Sequence, residues 1–205
     1  MTDSYYYEPS QGHGLKHDPF NAIVGPRPIG WISSMDAKGH VNLAPYSFFN
    51  AFNYHPPIIG FSSIGWKDTV ANIQETGEFV WNLATKHIGE QMNQTSASVP
   101  RETDEFTIAG LTKVASRKIS VPRVGESLAT FECKLSQLFQ LQGADGRKVD
   151  SWMVFGEVVA VHIANRLIRD GVYQTAEAHP ILRAGRMGDY AEIRPDAMFE
   201  MVRPR

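Results

Sequence analysis

One cysteine, Cys133, is all that this chain of 205 residues contains. It can build no internal disulfide framework, and such a composition fits a reducing compartment. Long apolar runs are missing as well, since no stretch approaches the roughly 20 residues that a membrane-spanning helix needs. Neither sign of charge dominates. A formal net charge of -2 offers no global attraction to nucleic acid or to an anionic membrane. The amino terminus, MTDSYYYEPSQGHG, has no basic segment followed by an apolar one, so it does not read as a secretory signal. The expectation is a cytoplasmic protein with neither a nucleic-acid nor a membrane partner.

Familiar catalytic signatures are also lacking. The seven histidines show no zinc-ligand spacing, and no metal site is expected. His13 and His17 are four apart but sit in a segment flanked by Pro and Gly. There is no G-x-S-x-G nucleophile elbow. The close carboxylates Asp104 and Glu105, and Glu75 and Glu78, read as solvated charges of a loop or helix. No residue is assigned as catalytic. Cys133 alternates with Phe131 and Leu135, which points it at a core.

What is present is ordinary for a soluble globular protein: 42% apolar and 20% charged residues. The length suits one domain with a terminal arm. Residues 1–18, polar, tyrosine-rich and broken by Pro and Gly, are the arm, and 19–205 form the domain. Residues 29–34 read as a strand, DAKG at 36–39 as a turn, and 40–43 as the returning strand of a hairpin. A further strand is expected at 57–62. From Asp68 the apolar spacing turns helical, and Thr76-Gly77 ends the helix. Residues 78–84 alternate as a strand, and a second helix is expected over 86–97. Residues 98–106 read as a mobile surface loop. Strand-like segments follow at 111–119, 129–141 and 152–164, the last two joined by a strong turn, QGADGR. Many closely spaced strands with few helices predict an antiparallel barrel rather than a doubly wound sheet.

Three segments carry candidate chemistry. In PPIIGFSSIGWKDTVANI an apolar strand ends at Ser62 and Ser63, and Lys67, Asp68 and Thr69 open a helix. Hydroxyls, a lysine and a helix N-terminus suit a phosphate, although the glycine spacing fits neither the P-loop nor the dinucleotide fingerprint. The plainer reading is that Asp68 or Thr69 caps the helix and Lys67 is a surface charge. In GPRPIGWISS, Arg27 is held between two prolines, and Ser33 and Ser34 end a strand. They suit an anion; the plainer reading is a rigid strand entry with an exposed arginine and a core tryptophan, Trp31. In NLAPYSFFNAF, Phe48, Phe49 and Phe52 suit the walls of a flat heteroaromatic ligand, with Asn42 and Ser47 as hydrogen-bond partners. The alternative is a core loop whose aromatics simply bury area.

RPIGWISS, D-x-x-G-x-x-NLAPYSFF, SSIGWKDTVANI and the later EFVWNLA and ECKL, taken in this order, resemble the flavin reductase-like family. The resemblance runs from about Phe20 to Tyr190. It implies a mainly β fold, a six-stranded antiparallel Greek-key split barrel of the FMN-binding type with peripheral helices. It also implies a homodimer with flavin near the subunit interface. The cofactor implied is FMN in preference to FAD, with NAD(P)H as a transient co-substrate passing hydride to the flavin. Carried onto this chain, Trp31, Ile32, Ser33 and Ser34 lie along the flavin. Asn42, Ala44, Ser47, Phe48 and Phe49 contact its ring system or ribityl chain. Ser62, Ser63, Lys67 and Thr69 hold the phosphate, and Asp68 positions the start of the helix. His179, Arg183 and Tyr190 match late residues near the flavin or nicotinamide. The implied activity is an NAD(P)H-dependent flavin reductase that supplies reduced flavin to a partner oxygenase or reduces a small substrate through bound FMN. The alternative is a non-enzymatic FMN-binding or electron-transfer protein. A haem- or pyridoxal-phosphate-binding relative of the barrel is a third reading.

Overall fold

The computed structural model describes residues 3–204. Met1 and Thr2 of the expected arm, and Arg205 at the end of the expected domain, lie outside the described residues. The main sheet is built from β1 (Gly30–Met35), β2 (Val41–Tyr46), β3 (Phe49–Tyr54), β4 (Pro57–Ile64), β5 (Glu78–Asn82), β6 (Ala129–Gln142) and β7 (Lys148–Ile163). The spatial order is β2-β1-β5-β6-β7-β4-β3, and every pairing is antiparallel. The fold is therefore mainly β. The main sheet has seven strands where six were expected. The additional strand arises because the aromatic segment after Asn42 breaks at Ser47-Phe48 into β2 and β3, and β3 then folds back on β4 as a hairpin.

The two edge strands do not pair with each other, so the barrel stays split. The sheet nonetheless curls, because side chains from across the strand order meet in one core. Ile32, Tyr46, Phe61, Phe79, Cys133 and Val154 pack together there with Val70 and Ile73 of helix α1 (Asp68–Thr76). Burial pushes the Cys133 thiol pKa well up, as expected for a core cysteine. Gly156 on β7 permits the closest approach: a Cβ there would lie 2.4 Å from the Phe79 ring. β1 is buried on both faces. With the period of two of a strand, Ile32 faces the barrel core while Trp31 joins a second cluster with Leu43, Met92, Phe106 and Val124. That second core lies beneath α2 (Gly89–Gln94) and α3 (Glu105–Ile108).

Several local expectations shift in detail. β2 runs to Tyr46, beyond the expected end at residue 43. The helix expected over 86–97 is a 3-10 turn, Lys86–Ile88, followed by the short α2. The strand expected over 111–119 contracts to Lys113–Val114, paired with Arg123–Val124. Its continuation is captured by a side chain instead of a ladder. The fully buried Glu132 of β6 accepts the N–H groups of Arg117 (2.8 Å) and Lys118 (2.7 Å), and lies 2.6 Å from His162 Nε2 on β7. A small sheet of Arg27–Pro28, Ile181–Arg183 and Tyr190–Glu192 covers one side. No helix among the described residues is long and apolar enough to cross a membrane.

Candidate functional site

The hydroxyl-rich end of β4 delivers the chain to the N-terminus of α1. Gly65, at φ 82, makes the break between them, a conformation that suits glycine. Lys67 is the N-cap residue, extended at φ -99 and ψ 169, and no side chain caps the helix there. The first helical bond recorded is Ala71 N–H to Lys67 O, at 3.0 Å. The N–H groups of the first turn thus remain available, beside the positive end of the helix dipole. This differs from the plainer reading of the sequence, in which Asp68 or Thr69 served as cap.

A cleft of about 470 Å³ opens at this terminus. Its floor comes from β2 and the β2–β3 connection, through Asn42, Ala44, Pro45, Tyr46, Ser47 and Phe48. Ser62, Lys67, Asp68 and Thr69 form one side, and residues 95–99 with Glu105 form the other. Trp66 stands half-exposed at the rim, its ring edge-on to Trp152 with centroids 4.5 Å apart.

Polar groups in the cleft are only partly satisfied by one another. Thr69 Oγ1 accepts from Asn42 Nδ2 at 2.8 Å, which orients the hydroxyl and leaves its proton to donate elsewhere. The Tyr46 hydroxyl is buried and makes no well-formed hydrogen bond among the described residues, although the hydroxyls of Thr69 and Ser63 lie beside it. Burial raises its pKa, the hydroxyls of Thr69 and Ser63 opposing this in part. An orphaned buried hydroxyl is uncommon and marks strain, an ordered water or ion, or a place for a ligand. Glu105 Oε2 accepts the Leu43 N–H at 3.1 Å. Its carboxyl pKa is raised, chiefly by burial and further by the charges of Asp104 and Asp68. The sequence reading of Glu105 as a solvated charge is thus corrected: the residue is only 8% exposed, because α3 packs it against β2.

Of the residues singled out in the sequence, Asn42, Ala44, Ser47, Phe48, Ser62, Lys67, Asp68 and Thr69 meet in this cleft. The others do not line it. Trp31 and Ile32 are fully buried in the two cores, and Trp31 Nε1 donates to Thr95 Oγ1 at 3.0 Å. Ser33 is buried and donates to Pro122 O, and the buried Ser34 hydroxyl accepts from Asn72. Ser63 points away from Ser62, as strand alternation requires, and donates to Gly65 O. Phe49 stacks on Trp81, with centroids 5.6 Å apart, in a separate apolar groove. Phe52 is exposed, edge-on to Phe155.

Arg27 is buried rather than exposed. Its Nε donates to Ser47 O at 2.9 Å, it also bonds Asn21 O, and its guanidinium lies 5.4 Å from the Phe48 ring centroid. It braces the cleft floor from behind. Burial, with the nearby charge of Arg183, lowers its pKa. Arg183 and Tyr190 border a second chamber of about 210 Å³ that shares Pro45, Tyr46, Ser47 and Ser96 with the cleft. The Arg183 guanidinium lies 4.7 Å from the Tyr190 ring centroid. His179 is elsewhere, 2.7 Å from Glu192.

Sequence reasoning missed Tyr46, Trp66, Glu105 and the wall at 95–99. Tyr46 and Trp66 lay inside the motifs already singled out. The wall gave no signal beyond polarity. No group of metal-ligating residues occurs among the described residues.

Comparison with known proteins places these features in a family. A family model, the flavin reductase like domain, matches residues 25–181. The uncharacterized protein BH2278 of Halalkalibacterium halodurans is 36% identical over 200 residues, covering 92% of each chain. Among solved structures, nitrilotriacetate monooxygenase component B from Bacillus cereus superposes with a TM-score of 0.86 at 30% identity, over 98% of this chain and 100% of that one. The 2-nitrobenzoate 2-nitroreductase NbaA of Pseudomonas fluorescens gives a TM-score of 0.79 at 29% identity, over 90% of this chain and 88% of its own.

Proposed function

The chain belongs to the flavin reductase-like family, and from that premise we propose that it is an oxidoreductase which holds FMN at the α1 N-terminus and accepts hydride from NAD(P)H. One observation carries this reading: an uncapped helix N-terminus and an orphaned buried Tyr46 hydroxyl share a single cleft. A phosphorylated, flat, partly polar ligand satisfies both. The family resemblance and the component B neighbour support a flavin reductase that supplies a partner oxygenase. The nitroreductase neighbour supports the related reading in which a small substrate is reduced directly.

When bound, FMN supplies a two-electron carrier for hydride. The chain's own residues bind and orient. Lys67 would oppose the phosphate charge, while the first-turn N–H groups and the Thr69 hydroxyl would donate to its oxygens. The Tyr46 hydroxyl would donate to a polar atom of the ligand. Ala44, Pro45 and Phe48 give an apolar wall. The chamber beside Arg183 and Tyr190 would take the nicotinamide. Hydride transfer needs no acid–base dyad from the protein. The apolar groove formed by Phe49, Trp81, Phe131 and Tyr173 is of the kind that a second subunit covers, in keeping with a homodimer.

The test is optical. Purified protein incubated with FMN is expected to show the absorption of oxidised flavin at about 450 nm. Anaerobic addition of NADH or NADPH is expected to bleach it. Retention of flavin with no bleaching by either donor would favour the non-enzymatic electron-transfer reading. Failure to retain flavin at all would sink the assignment.

A second expectation isolates Tyr46. Removing an unsatisfied buried hydroxyl relieves a desolvation cost of about 1–3 kcal/mol. Tyr46→Phe should therefore melt at or above the wild-type temperature without ligand, yet bind FMN more weakly. A variant less stable without ligand would show that the hydroxyl has a structural partner.

A further inference from the structure

Arg101 lies in the 98–106 segment that the sequence marks only as a surface loop, yet it pairs with Asp68, which lines the cleft. Its Nη1 lies 2.6 Å from Asp68 Oδ1 and its Nη2 donates to Asn72 Oδ1 at 2.9 Å. The same Nη2 lies 3.6 Å from Asp36 Oδ2. Asp36 is buried in the β1–β2 turn, and its own oxygens take the Lys38 and His40 N–H groups and the His40 ring. One guanidinium thereby joins that turn, the first turn of α1, and the segment just beyond the cleft wall at 95–99.

The charge arrangement gives this contact a consequence. Asp68 is the first residue of α1. A carboxylate there favours the helix, since it faces the positive end of the dipole. It also lies beside the place where a phosphate dianion would sit, and at such range like charges repel. Lys67 alone would be largely cancelled by Asp68. With Arg101 paired to Asp68 at 2.6 Å, the positive charge of Lys67 is left for the ligand.

Resting on the reading of the cleft as an FMN site, we propose that Arg101 is a specificity-determining residue. By neutralising Asp68 it sets the preference for the phosphorylated flavin over riboflavin, without itself touching the ring system. This is a positioning and charge-setting role that a purely structural tie would not mimic, because it depends on the phosphate.

The experiment compares FMN and riboflavin affinity, by fluorescence titration, for the wild type, Arg101→Ala, Arg101→Lys and Arg101→Ala/Asp68→Asn. Arg101→Ala is expected to lose about tenfold in FMN affinity, the size typical of one charged contact, with little change for riboflavin. Adding Asp68→Asn should restore most of the FMN affinity, since the uncompensated carboxylate is gone. Arg101→Lys keeps a cation and should retain the FMN preference, and it also serves should the alanine variant fold poorly. If the wild type bound FMN and riboflavin equally, the phosphate placement itself would fall. If the wild type preferred FMN but Arg101→Ala weakened both flavins alike, or Asp68→Asn gave no rescue, the role of Arg101 alone would be overturned.

Discussion

Replacing Lys67 and Thr69 together by alanine is expected to weaken FMN binding about 100-fold. The charge-assisted contact from Lys67 accounts for roughly 1.5–3 kcal/mol and the neutral Thr69 hydroxyl for about 0.5–1.5 kcal/mol. At 1.4 kcal/mol per factor of ten, their sum spans about 30- to 1,600-fold. Lys67 is solvent-exposed, so its share should shrink as salt is added. Thr69 is buried and held by Asn42, so its share should not. Riboflavin, which lacks the phosphate, provides the control and should change little. Unchanged FMN affinity in a fluorescence titration would remove the phosphate from this end of the cleft.

A comparably large effect is expected far from the cleft. Glu132 is fully buried and serves two backbone N–H groups and the His162 ring. Glu132→Ala strands all three partners, and breaking such a buried arrangement costs about 3–5 kcal/mol. For a chain of this size that corresponds to a fall in Tm of about 6–20 °C. The carboxylate also sets a pH dependence. Burial alone would raise its pKa, but the Arg117 N–H, the His162 ring and the Lys118 N–H outweigh burial and hold it below the usual value of 4.5. A folded-state pKa below the unfolded one means that the contribution is complete above about pH 4.5 and is lost as pH falls through the depressed value. Acid melts of the wild type should show that loss. Glu132→Gln, which cannot ionise, should show a shallower acid limb. Equal acid limbs in the two proteins would refute the linkage.

Both predictions turn on groups that the sequence marks unequally, and the contrast explains what could be read in advance. The β1–β2 turn and the β6–β7 hairpin were legible because local turn chemistry sets them: Gly39 and Gly146 adopt positive φ within tight turns. The start of α1 at Asp68 was legible because the apolar spacing changes there. The break between β2 and β3 was not, since Ser47-Phe48 carries no glycine and the aromatic run is continuous across it. Arg101 and Glu132 were illegible for a different reason. Each acts on backbone or side-chain groups that only the tertiary fold brings within reach. Within the candidate site, residues on α1 and β2 were found by motif. On β1, the same motif marked Trp31, Ile32, Ser33 and Ser34, whose side chains are committed to the two cores on either face of that strand.

The Trp66–Trp152 pair at the rim gives the cleft its own optical reporter. Of the four tryptophans, Trp31 is fully buried, and Trp81 is fastened through its indole N–H to Ile29 O. The indole at the mouth is the one whose emission a flavin arriving in the cleft would quench most directly. Occupancy can therefore be followed from the protein's own light, with no label attached.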